Sequence, residues 1–257
     1  LQLLAMFTVG PETALDGSTN SATLTWNFNS GTEPFNYLAT GETLILTYTV
    51  VATDDDLASV TETVDITITG TNDAPGITDG SDTALLPETN SALTTNGSLT
   101  VTDVDTTDVV TASYALMVTG TSSRTDPAAP TDADLLAMFT VSPTPALNSS
   151  TKSAMLNWSF NSDTELFNYL ATGETLILTY TVTATDDDAT PASVTETVEI
   201  TITGTNDAPG ITDGPDTALL HETNAALTTS GSLTVTDVDT TDVVTASHAL
   251  VVTGTSD

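Results

Sequence analysis

Aspartates recur in this chain at spacings that suit a metal ion. Asp103-Val104-Asp105 and Asp237-Val238-Asp239 each set two carboxylates two residues apart in a turn-rich stretch, and each follows an Asn-Asp dipeptide, Asn72-Asp73 or Asn206-Asp207. Carboxylates spaced in this way converge readily on one hard cation that needs six to eight oxygens, which is the coordination of calcium. Asp54-Asp55-Asp56 and Asp186-Asp187-Asp188 are further candidates. The alternative for all of them is that they solvate loops and hold nothing.

The elements that position these acids come in copies. Asn72-Asp73-Ala74-Pro75 returns as Asn206-Asp207-Ala208-Pro209, a period of 134 residues (206 minus 72), and residues 72–123 differ from 206–257 at only seven sites. Elsewhere Trp26 matches Trp158 and the two Asp triplets match, at an offset of 132 (158 minus 26); the difference is the insertion Thr190-Pro191. A fixed period of this kind marks a tandem array and decides the fold reading. If Asn-Asp-Ala-Pro opens a unit, residues 1–71 are the C-terminal half of one repeat, 72–205 a complete repeat, and 206–257 the N-terminal half of the next. Leu1 and Asp257 align with Ala133 and Ser123, on either side of the loop 124–132. The chain is therefore expected to be one two-repeat period of something longer.

Charge and composition narrow the function. Two basic residues, Arg124 and Lys152, face 35 acidic ones, for a formal charge of −33. Nucleic acid and anionic membrane surfaces are poor partners and not expected, because both are bound through Lys and Arg. A compact chain with that self-repulsion calls for neutralising cations, which again points to calcium. The absence of cysteine removes disulfides, thiolate metal sites and thiol catalysis. No apolar run reaches the roughly 18 residues of a membrane span, so direct membrane insertion is not expected. His221 and His248 replace Pro87 and Tyr114 between near-identical copies, so neither is a catalytic candidate. With no nucleophile elbow, phosphate loop or zinc pattern, the chain is not expected to be an enzyme.

Threonine makes up more than a fifth of the residues and alternates with Val, Ile and Leu. Leu176, Leu178, Tyr180, Val182 and Ala184 fall on one phase and Ile177, Thr179, Thr181 and Thr183 on the other. A period of two places one set inward and one outward on a strand. Val198, Ile200 and Ile202, then Leu156, Trp158 and Phe160, then Val110 to Val118 on alternate residues, and Leu99 with Val101, behave alike. Short strands near residues 84–86 and 139–141 bring the total to about seven, with 135–138 open to a helical turn. The fold class expected is all-β, a tandem of immunoglobulin-like β-sandwiches. Trp26, Phe28, Trp158 and Phe160 could instead form a carbohydrate platform, but their phase favours the core.

Three motifs in order carry a family resemblance: Gly204-Thr205-Asn206-Asp207-Ala208-Pro209, the run 99–105 ending in Asp103-Val104-Asp105, and the run 167–182 through Gly173-Glu174-Thr175-Leu176. Together they resemble the VCBS repeats, cadherin-like modules of giant bacterial surface proteins and RTX-type adhesins. The resemblance implies a secreted, calcium-loaded stalk at the bacterial cell surface: a structural extender that holds a distal adhesive domain away from the cell. Its partners would be adjacent repeats of the same array and lateral copies of itself. Two alternatives are a self-assembling extracellular filament and a carbohydrate-binding recognition module.

Cadherin-type modules hold calcium at the joint between domains. The resemblance implies a ligand set of Glu88, Asn206, Asp207, Asp237 and Asp239 at one joint and Asn72, Asp73, Asp103 and Asp105 at the other, with Glu222 the counterpart of Glu88. The linker lacks the leading Asp of cadherins, and the Asp-Arg-Glu element is missing; Glu62 and Glu196 could stand in for it. In such an array the apolar side chains Val235, Val244, Ala246 and Leu250 are expected to pack on the equivalents of Trp26, Leu46 and Val64 in the next unit.

Overall fold

The computed structural model describes residues 3–254; the chain ends compared above, Leu1 and Asp257, lie outside them. Alternating β-branched and polar residues extend the chain, and side-chain burial decides which extended segments pair. A single 3-10 turn at Leu3–Met6 leads into β1 (Phe7–Gly10), followed by β2 (Thr25–Phe28), β3 (Thr43–Thr53) and β4 (Ser59–Thr69). These form two separate hairpin-like pairs, β1 with β2 and β3 with β4, and most of their side chains are exposed or half-buried.

The next eight strands close a sandwich. They are β5 (Gly76–Ile77), β6 (Asp82–Pro87), β7 (Thr94–Thr102), β8 (Thr111–Gly120), β9 (Phe139–Ser142), β10 (Ser153–Asn161), β11 (Thr175–Thr185) and β12 (Ser193–Thr203). One sheet has the order β5-β7-β10-β9 and the other β6-β12-β11-β8. All pairings are antiparallel except β6 with β12, which is parallel. The expected seven strands are present, and the two-residue β5 is an eighth. Helix α1 (Asp132–Ala137) precedes β9, opened by a capping box in which Thr131 and Asp134 exchange hydrogen bonds.

Period two places the core where the sequence puts it. Leu176, Leu178, Tyr180, Val182 and Ala184 of β11 meet Val198, Ile200 and Ile202 of β12, and Leu99, Val101, Leu156, Trp158 and Phe160 come from the facing sheet. The centre is aromatic: Phe139 stacks on Tyr180 with ring centroids 4.1 Å apart, and the Tyr180 hydroxyl donates to the Leu135 carbonyl at 2.7 Å. Burial raises the Tyr180 pKa, so its O–H stays protonated and available as that donor.

The last segment departs from expectation. Residues 206–254 repeat the sequence that makes β5–β8, yet form only β13 (Gly210–Ile211) and β14 (Val235–Thr236), paired with each other. Val235, Val244 and Leu250 are exposed. A strand that finds no partner strand and no covering face gains nothing from its alternation. Within this one chain the segment is not packed on β1–β4. No helix among the described residues is long and apolar enough to cross a membrane.

Candidate metal centre

Three chain segments meet at one end of the sandwich. The first is the turn between β7 and β8, residues 103–108; the second is the β11–β12 hairpin tip, residues 186–192; the third is the linker Asn72-Asp73 that enters the unit. Each turn is shaped locally by its own acids. Asp105 N–H donates to Asp103 Oδ1 at 3.0 Å, and Asp108 N–H to the Asp105 carbonyl at 3.4 Å. In the hairpin, Asp186 accepts from Ala192 N–H at 3.0 and 3.1 Å and from Asp188 N–H at 3.4 Å. Short Asp side chains close such turns by bonding their own backbone two residues on.

Cross-links then join the segments. Asp73 N–H donates to Asp105 Oδ2 at 2.7 Å, Asn72 Nδ2 to Asp186 Oδ2 at 3.1 Å, and Val109 N–H to Asp187 Oδ1 at 2.8 Å. The result brings Asp103, Asp108 and Asp186 together, one carboxylate oxygen of each within 4.8 Å of the others, all three buried. Asp105 is buried beside them.

Among the described residues, five side-chain oxygens at this end are buried without a hydrogen-bond partner: Asn72 Oδ1, Asp103 Oδ2, Asp105 Oδ1, Asp108 Oδ2 and Asp188 Oδ2. Buried polar atoms are nearly always paired, and an uncompensated buried carboxylate is costly. Neither basic side chain relieves it: Arg124 pairs with Asp132 at 2.7 Å, and the Lys152 ammonium stands 5.9 Å from the Tyr37 ring centroid. Burial, reinforced by the neighbouring carboxylates, raises the pKa values of Asp103 and Asp105 and pushes Asp108 up to about 6. Among the described residues the donor set is oxygen only, which suits a hard cation such as calcium. The orphaned atoms are the places its bonds would fill.

The same turn forms a second time. Asp207 N–H donates to Asp239 Oδ2 at 2.8 Å, Asp239 N–H to Asp237 Oδ1 at 3.1 Å, and Asp242 N–H to the Asp239 carbonyl at 3.0 Å. Asp207 Oδ2 and Asp239 Oδ1 are orphaned, and burial raises the Asp239 pKa. The Asn206 side chain donates to the Asp207 carbonyl at 3.0 Å, and Glu222 is exposed.

Glu88 sits elsewhere. It is buried after β6, its N–H donating to the Thr203 carbonyl at 2.7 Å and its Oε2 accepting from Thr205 Oγ1 at 2.6 Å. The length of β12 separates it from Asp186, and it borders the linker that leads to Asn206-Asp207. Glu196 accepts from its neighbour Thr197 N–H at 2.9 Å and lies outside the cluster. The residue that pair spacing passed over is Asp108, with its counterpart Asp242. The signal was present as Asp-x-Asp-x-x-Asp in both copies.

No protein-family model matches the chain, and no curated protein matches it. Solved structures do align. Mouse clustered PcdhgC3 EC1-3 aligns at 15% identity over 82% of this chain and 59% of that one, with a TM-score of 0.39. Protocadherin Gamma B2 extracellular cadherin domains 1-5 align at 14% identity over 78% of this chain and 33% of theirs, TM-score 0.38. AggA, the major subunit of aggregative adherence fimbriae type I from Escherichia coli, aligns at 11% identity over 65% of this chain and 98% of its own, TM-score 0.26. The chain thus spans less than two thirds of either protocadherin chain.

Proposed function

We propose that this chain is a structural extender, built of β-sandwich repeats stiffened by calcium, from a stalk that displays an adhesive domain outside a bacterial cell. Residues 72–205 are one repeat of it, with 1–71 carrying the C-terminal half and 206–257 the N-terminal half of the same repeat unit. The observation that carries the reading is the set of five orphaned, buried oxygens drawn from three chain segments with no base among them. Asn72, Asp73, Asp103, Asp105, Asp108, Asp186 and Asp188 would hold the ion. The linker is thereby tied to the two turns of the following sandwich, so a joint that repels itself without metal becomes a clamp with it.

Glu88 and Thr205 bring the far end of the sandwich to the next linker, where Asn206, Asp207, Asp237 and Asp239 would form the succeeding joint. The acidic surface suits a calcium-rich medium and no polyanionic partner. Isothermal titration calorimetry on the metal-stripped chain tests the reading directly. Heat of calcium binding at or below about 10⁻³ M, with loss of the signal in Asp103→Asn, is expected; no binding at millimolar calcium ends the proposal.

A further inference from the structure

The two incomplete stretches of this chain carry opposite halves of one sandwich. Strands β1–β4 keep the registers of β9–β12: Val9 faces Trp26 as Val141 faces Trp158, and Tyr48 faces Val64 as Tyr180 faces Val198. They lack their cover. In the complete sandwich β7 pairs with β10, β8 with β11 and β6 with β12; among the described residues nothing takes those places on β2, β3 and β4. An open cleft lined by Val9, Leu24, Val50 and Val60 results. Trp26 is 52% exposed, whereas Trp158 is 2% exposed.

Residues 206–254 hold the missing cover in an unused form. Leu233, Val235, Val244 and Leu250 are exposed, and they stand where Leu99, Val101, Val110 and Leu116 pack in the complete sandwich. One detail is already set. In the complete sandwich Trp158 Nε1 donates to Asp82 Oδ2 at 2.9 Å and lies over Gly97, where a Cβ would come 2.4 Å from that oxygen and 2.6 Å from the indole. In the free segment Asp216 Oδ2 hangs over Gly231 in the same way, 2.3 Å from where a Cβ would be, with no indole beside it. Among the described residues nothing accepts from the Trp26 indole.

The acidic turns divide likewise. Asp239 is 1% exposed with Oδ1 orphaned, joined to Asp207 and Asp237 but to no Asp triplet. Asp54 closes the same hairpin turn as Asp186, accepting from Asp56 N–H at 3.1 Å and Ala58 N–H at 2.8 Å, and meets no Asp-x-Asp turn.

We propose that residues 206–254 of one copy of this chain dock onto residues 3–71 of a second copy, completing a sandwich between molecules and a cation site from Asp237, Asp239 and Asp242 of one and Asp54 and Asp56 of the other. Trp26 then donates to Asp216 of the docked copy over its Gly231. The acceptor half and the donor half are different surfaces, so the contact is heterologous and propagates head to tail. Uncovered strand edges supply the backbone pairing. The strand docking stands independently of the calcium reading; only the shared cation site rests on it.

Sedimentation and light scattering of the 257-residue chain over a range of concentrations, with calcium and after metal stripping, test the proposal, with tryptophan fluorescence recorded in parallel. Mass rising several-fold above the 26.4 kDa of one copy with concentration, accompanied by an emission shift to shorter wavelength, is expected. Gly231→Leu is exposed in the free segment and leaves 72–205 untouched, so it should hold the chain monomeric while calorimetry still finds the 103/105/108/186 site. Asp239→Asn should weaken the calcium dependence of assembly alone. A monomer at every concentration overturns the docking, as does a concentration-independent monomer with Trp26 buried, which is closure within one chain. Assembly undiminished in Gly231→Leu overturns it too. Concentration-dependent assembly with no calcium binding would instead sink the calcium reading and keep the docking.

Discussion

The indole nitrogen of Trp158 on β10 donates to the carboxylate of Asp82 on β6, at 2.9 Å, and so links the two sheets of the sandwich through its interior. Gly97 makes the link possible. It faces Trp158 directly in the β7–β10 register, and any Cβ there would overlap both partners. A buried indole N–H needs an acceptor, and here one carboxylate, one missing side chain and one aromatic from three strands meet that need together.

Disturbing this link should lower stability without touching the acidic end. Trp158→Phe leaves the Asp82 oxygen unpartnered, and Gly97→Ala forces the indole aside; each is expected to cost about 1–3 kcal/mol. Urea denaturation followed by circular dichroism measures it. Unchanged midpoints in both variants would show that the link contributes nothing.

The second aromatic anchor predicts a graded series. Tyr180 stacks on Phe139 and donates to the Leu135 carbonyl, tying α1 to the core. Tyr180→Phe keeps the ring and removes one of the two hydrogen bonds that the Leu135 carbonyl accepts, Met138 N–H still donating to it at 3.3 Å, for a loss of about 0.5–1.5 kcal/mol. Tyr180→Ala also removes the ring and should cost about 3–5 kcal/mol. Equal losses in the two variants would mean that the hydroxyl, and not the packing, dominates.

The parts of this fold that are local in sequence are legible there. Alternation alone puts Trp158, Phe160, Leu178, Tyr180 and Val198 inside, and all five are buried, because inward and outward phase is a property of a single strand. Asp103 and Asp105 show themselves by spacing for the same reason. Asp108 is written there only as the last position of Asp-x-Asp-x-x-Asp, and what makes it a ligand candidate is proximity to Asp186, 78 residues away (186 minus 108), which exists only once β8, β11 and β12 have paired and the turn after β7 lies against their end. Residues 206–254 show the limit most plainly. They nearly repeat 72–120, yet where those make four strands they make β13 and β14 only, because pairing partners and not alternation turn a candidate strand into a strand.

Asp108→Asn separates a structural role from a ligand role by opposite signs. Without metal, removing one of four crowded carboxylates relieves repulsion, so the melting temperature should rise by a few degrees for a gain on the order of 1 kcal/mol. With calcium the variant loses a ligand, and affinity should fall at least tenfold, about 1.4 kcal/mol. Differential scanning calorimetry in both conditions reads the crossing. A variant less stable than the parent without metal would show that Asp108 is a structural acceptor instead.

The pH dependence of the metal-free protein follows from the same cluster. Burial and like charge hold Asp108 at about 6 in the fold, against 3.8 for the ordinary carboxyl, with Asp103 and Asp105 raised in the same direction. A raised folded pKa means the native state binds the proton more tightly than the unfolded chain. Its stabilising contribution is complete below the unfolded value and is lost as pH rises through the folded one. Metal-free protein should therefore become more stable between pH 7 and pH 5, by on the order of 1–3 kcal/mol. Saturating calcium requires the deprotonated carboxylates, so it reverses the slope: stability should fall over the same interval as protons displace the ion. Thermal melts of metal-stripped and calcium-loaded protein at pH 7, 6 and 5 provide the check. Parallel slopes in the two series would rule out the cluster as the seat of calcium binding.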